Sequence, residues 1–107
     1  MIKKNTTSID NKTETLTDLF DALLHLESRI EAKLFLKDIC TPAELEALEE
    51  RWQISQLLYK KNYSYRQIQK ITNSSLTTIT RVARFLNNEE FGGYQNLIQK
   101  LNKRKSI

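Results

Sequence analysis

Residues 64–86 gather the side chains whose chemistry is most telling. With residues 76–86 in a helix, Leu76, Thr77, Thr78, Thr80, Arg81 and Arg84 face outward. Thr donates or accepts a hydrogen bond and offers a methyl to thymine, while Arg reads guanine or binds phosphate. Such a helix can enter a major groove, and carboxylates on it would be repelled by phosphate. Residues 51–88 hold seven bases and no acid. Residues 10–50 are the converse, with eleven acids and four bases. The net charge of +4 thus averages two opposed halves. The basic half points to a polyanionic partner, most often nucleic acid.

Other chemistry is poorly served. His25 is the only histidine and Cys40 the only cysteine, so neither a metal site nor a disulfide framework is expected. Cys40 is expected to pack as a small apolar side chain, and Trp52 as core. Glu44, Glu46, Glu49 and Glu50 lie on the opening turns of an expected helix, where its dipole accounts for them better than acid–base catalysis. No Gly-rich loop or nucleophile triad is present. The expectation is a non-enzyme with no cofactor and no metal. No apolar run is long enough to span a membrane, and MIKKNTTSIDNKT lacks the apolar core of a secretory signal. A single cysteine fits a reducing, cytoplasmic setting.

The elements that must position these side chains are helical. Two glycines and one proline leave few turn-makers in 107 residues, which argues for an all-α chain of about six helices. Residues 1–13 read as a flexible tail, 14–101 as one helical domain and 102–107 as a basic tail. From Glu14 onward, Leu16, Leu19, Phe20, Leu23 and Leu24 make one apolar stripe. Ser28 with Glu31 opens a second helix, over about residues 29–39. Thr41-Pro42-Ala43-Glu44 opens a third, running to about Lys61 with Asn62 as its left-handed stop. Ser64 and Gln67 form a further capping box. Thr72-Asn73-Ser74 breaks that short helix, and Ser75 caps the next, over residues 76–86. Ile68, Ile79 and Val82 would hold the pair together. This is a helix-turn-helix in outline. Asn73 stands at the turn position that often carries glycine, and Gln69 where a small residue is usual. A last helix follows Gly92-Gly93.

Residues 41–87 resemble the Trp repressor superfamily, and within it the repressor-like branch with no assigned effector. The pattern is T-P-x-E-x-E-A-L from Thr41, an Arg three residues on (Arg51), S-x-R-x-I from Ser64, and T-T-I-T-R from Thr77 to Arg81. The resemblance implies an intertwined, all-helical homodimer in which each subunit offers a helix-turn-helix to half of a two-fold operator on double-stranded DNA. It implies base contacts at Leu76, Thr77 and Thr80, with Arg66 and Gln69 reaching from the first helix. Ser64, Tyr65, Ser74, Ser75 and Arg84 are candidates for phosphate. It also places Thr41, Arg51 and Arg81 around a former ligand pocket. There Trp52, Val82 and Phe85 stand where the repressor has smaller residues. Phe85, Trp52 or both are expected to fill the space, so that tryptophan is not an effector.

The adopted reading is a sequence-specific transcription repressor. Two others stay open: the DNA-binding module of a transposase or sigma-like protein, and a protein-interaction scaffold in which the motif only packs helices.

Overall fold

The computed structural model describes residues 6–9, 12–88 and 91–105. The chain divides into two compact units, Met1–Thr41 and Pro42–Ile107. This division falls inside the single domain expected over residues 14–101.

The N-terminal unit begins with an element the sequence reading does not contain. Strand β1 (Thr6–Ile9) pairs antiparallel with β2 (Lys12–Thr15), with Thr6 opposite Thr15 and Ile9 opposite Lys12. Both strands are rich in β-branched residues, which favour extended backbone. The tail expected over residues 1–13 otherwise lies outside the described residues. Helix α1 spans Leu19–Leu24, five residues later than the apolar stripe implies. The cause is local. Asp18 caps it, accepting from the Asp21 N–H at 2.8 Å, and Glu14 and Thr15 belong to β2. Helix α2 spans Arg29–Ile39, as expected from its cap, where the Glu31 N–H donates to Ser28 Oγ at 3.0 Å. The Glu31 carboxylate reaches one residue further back and accepts from the Glu27 N–H at 2.9 Å. Neither helix buries a residue.

The C-terminal unit has four helices: α3 (Pro42–Lys60), α4 (Tyr65–Thr72), α5 (Leu76–Asn88) and α6 (Gly93–Lys105). Helix α3 packs against each of the others, α4 against α5, and α5 against α6. Ile54 from α3, Ile68 from α4, and Ile79 and Val82 from α5 meet at the centre, with Leu57, Leu58 and Tyr94 against them. Each such buried branched side chain stabilises the unit by about 1.5–3 kcal/mol. Ser55 is also buried, and its hydroxyl donates to the Trp52 carbonyl oxygen at 2.7 Å. The left-handed stop after α3 is Lys61 (φ 60°), one residue before the expected Asn62. Residues 102–105, expected as a tail, are the last turn of α6. Gly92, at φ +73°, makes the turn into α6, and its carbonyl accepts from the Asn96 N–H at 2.9 Å. Among the described residues the helices number six.

Candidate nucleic-acid interface

The interface is built from two caps and one turn. Ser64 and Gln67 form a reciprocal capping box at the start of α4. The Gln67 N–H donates to Ser64 Oγ at 3.1 Å and the Ser64 N–H to Gln67 Oε1 at 2.8 Å. Helix α4 ends at Asn73, in the left-handed region (φ 56°, ψ 40°), whose N–H donates to the Gln69 carbonyl at 2.8 Å. Asn tolerates that conformation better than most residues, so the absent glycine does not disturb the turn. Thr72 Oγ1 lies 2.7 Å from both the Ile68 carbonyl and Ser74 Oγ, closing the turn from inside. Ser75 then caps α5, its Oγ accepting from the Thr78 N–H at 3.1 Å. Ile68, Ile79 and Val82 lock the two helices together, each at most 1% exposed.

That packing turns the other faces of α4 and α5 outward. Leu76, Thr77, Thr80, Arg81 and Arg84 line an open groove of about 480 Å³ along α5. Arg66, Gln69, Lys70, Asn73 and Ser74 line a second, of about 520 Å³, along α4. All five expected base-contact residues therefore lie in one groove or the other, and no acid lines either. Leu76 is half exposed at the first turn of α5. Asn73, read in the sequence only as the turn residue, lines this groove, and Lys70 is a residue the sequence reading does not single out. Lys70 lies four residues after Arg66 on α4, a spacing that brings side chains to one helix face and could have found it.

The phosphate candidates divide. Tyr65 and Arg84 are exposed. Ser64 and Ser75 use their hydroxyl oxygens as cap acceptors; for Ser64 this leaves a hydroxyl proton to donate outward, whereas Ser75 Oγ also shares a hydrogen bond with Thr78 Oγ1 at 3.0 Å. Ser74 does not fit the expectation. Although it borders the α4 groove, it is nearly buried and its hydroxyl meets Thr72, so its side chain is engaged in holding the turn.

The expected ligand pocket is partly assembled. Trp52, Arg81 and Phe85 do share a concavity, of about 510 Å³, with Phe91, Gly92, Gly93, Tyr94 and Leu97. Trp52 and Phe85 line this space and do not fill it. Val82 is not part of it: it is 1% exposed in the core, because α5 turns it toward Ile54 and Ile68. Arg51 is half-buried on α3 outside this lining, and Thr41 ends the other unit. The Arg81 guanidinium lies over the Phe85 ring at 4.7 Å from its centroid, and that of Arg84 at 5.7 Å. Phe85 in turn stacks on Phe91, with centroids 6.4 Å apart and planes 13° apart. The residues from Phe91 to Leu97 escape a sequence reading because they reach Trp52 and Phe85 only through the packing of α6. Among the described residues no group of His, Cys, Asp or Glu could hold a metal, and no helix is long and apolar enough to cross a membrane.

The fold and its outward grooves define a helix-turn-helix protein. The Trp repressor protein family model matches residues 14–102, and the chain belongs to that family. It is similar to the uncharacterized protein YerC of Bacillus subtilis, 36% identical over 72 residues, covering 67% of this chain and 68% of that one. Two crystal structures are similar. One is a TrpR-like protein from Eubacterium eligens, with TM-score 0.73, 34% identity, 78% of this chain and 84% of that chain covered. The other is a putative Trp repressor from Staphylococcus aureus, with TM-score 0.73, 36% identity and coverage of 78% and 82%. Membership points to a helix-turn-helix DNA-binding regulator and away from an enzyme.

Proposed function

We propose that this chain is a cytoplasmic, sequence-specific transcription repressor that binds a two-fold operator on double-stranded DNA as a homodimer, without responding to tryptophan. The observation that carries the reading is the acid-free outer face of α4 and α5, held by a fully buried Ile68–Ile79–Val82 seam. Leu76, Thr77 and Thr80, with Arg66 and Gln69, read base edges. Ser64, Tyr65, Ser75 and Arg84 bind phosphate and set the register.

The dimer is supported by the N-terminal unit. Leu16, Leu19, Phe20, Leu23, Leu24, Ile30, Leu34 and Ile39 are all exposed, Phe20 to 73% and Leu24 to 81%. So many exposed large apolar side chains fit a face that a partner covers, and a closed two-fold dimer covers it while presenting two helix-turn-helix units. Indifference to tryptophan is supported by the large rings of Trp52 and Phe85 in the concavity beside Arg81, and by Arg51 lying outside its lining.

Selection of bound duplexes from a random pool tests the reading. The expected result is a two-fold consensus with half-sites one helical turn apart, about 10 base pairs. Binding should weaken steeply with added salt, through release of counterions. A pool with no enriched sequence would sink the reading, and tryptophan binding by calorimetry would remove the part concerning the effector.

A further inference from the structure

We infer that Phe85 is a positioning residue for DNA binding: its ring is a platform that holds Arg81 and Arg84 in the α5 groove. This rests on the DNA-binding reading above and adds to it a residue that itself touches no DNA. Three observations meet at the ring. Arg81, four residues earlier, lies on the same helix face, with its guanidinium 4.7 Å from the ring centroid. The guanidinium of Arg84 lies 5.7 Å from the same centroid. Phe91 stacks on the ring at 6.4 Å with near-parallel planes, so the platform is itself supported from the turn before α6. Both arginines also line the groove that holds Leu76, Thr77 and Thr80. One ring therefore contacts both cations of the α5 groove.

The physical reason is entropic and electrostatic together. A free Arg side chain loses much rotamer freedom when it grips phosphate. A planar guanidinium stacked on an aromatic face is held beforehand, and its N–H groups point outward around the ring edge. Phe85 is half-buried and lies outside the central core cluster, so its role is separable from folding.

The test measures affinity of the full chain for a mixed-sequence duplex of about 30 base pairs at several salt concentrations. Two stacked cations at the strength of exposed cation–π pairs imply that Phe85→Leu, which keeps apolar bulk, weakens binding about 10-fold. Phe85→Tyr keeps the platform and should restore it. In an Arg81→Ala/Arg84→Ala background, Phe85→Leu should cost nothing further, because the ring acts through those two side chains. Circular dichroism melting checks that each variant is folded. If Phe85→Leu binds as the unmodified chain does, or weakens binding equally with and without the arginines, the inference is wrong while the DNA-binding reading stands. If the unmodified chain shows no salt-dependent binding, both fall.

Discussion

The two units of this chain solve the same problem in opposite ways. Helices α3 to α6 bury their own apolar side chains: Ile54, Ile68 and Ile79 are wholly enclosed, and the seam between α4 and α5 is closed from within. Helices α1 and α2 bury none, although each carries an apolar stripe of its own. The charges divide elsewhere: acids are concentrated over residues 10–50, which takes in the first turns of α3, and none falls over 51–88. The contrast shows that an amphipathic stripe specifies that a face will be covered, but not by what. In the C-terminal unit the cover is the neighbouring helices of that unit. In the N-terminal unit the proposed cover is a second copy.

That contrast can be broken at its strongest point first. Ile79→Ala should lower unfolding stability by about 2–5 kcal/mol, read from thermal or denaturant melting, since nothing can collapse into the space. A loss well under 1 kcal/mol would mean the C-terminal core is not what holds that unit. Phe20→Asp comes next. A charge placed where a copy should pack forfeits the burial of a large side chain, about 1.5–3 kcal/mol in each subunit. Sedimentation should show the dimer giving way to monomer. If the mass is unchanged, the exposed stripe has another occupant, and the two units differ for a different reason. Arg66→Ala tests the basic side, with an expected loss of about 1–3 kcal/mol of discrimination at one base pair. A uniform loss across all sequences would make Arg66 a phosphate contact. The smallest effect is local: Ser64→Ala removes half of a capping box, and about 1 kcal/mol of stability should go with it.

Legibility in the sequence followed the range of the interactions. The helix-turn-helix could be read because its caps span three residues: Ser64 with Gln67, and Ser75 with Thr78. The start of α2 at Ser28 was readable for the same reason. The start of α1 was not, because Leu16 continues the apolar spacing while Asp18 sets the cap. Between β1 and β2 the sequence carries Asp10-Asn11, residue types that favour turns, but no alternating apolar pattern announces the strands, only β-branched residues. The stop at Lys61 in place of Asn62 reflects a choice between adjacent residues that local preference does not settle. At the site, the outward residues of α4 and α5 followed from periodicity. The concavity did not, since Phe91, Tyr94 and Leu97 meet Trp52 and Phe85 only when α6 packs. Bulk at Phe85 was legible in the sequence. Its direction, across Arg81 and onto Phe91, was not.

Helix α5 is secured at both ends. Ser75 caps its start, and near its end the Gln95 side-chain amide donates to the Leu86 carbonyl at 2.7 Å, one of the carbonyls that a helix terminus leaves unpaired. On the clock of hydrogen exchange, this separates the chain into slow and fast parts. The central amides of α5, around Ile79 to Ala83, should exchange only when the whole C-terminal unit opens. Those of the six-residue α1 should exchange by local fraying, and slow down only when its apolar face is covered.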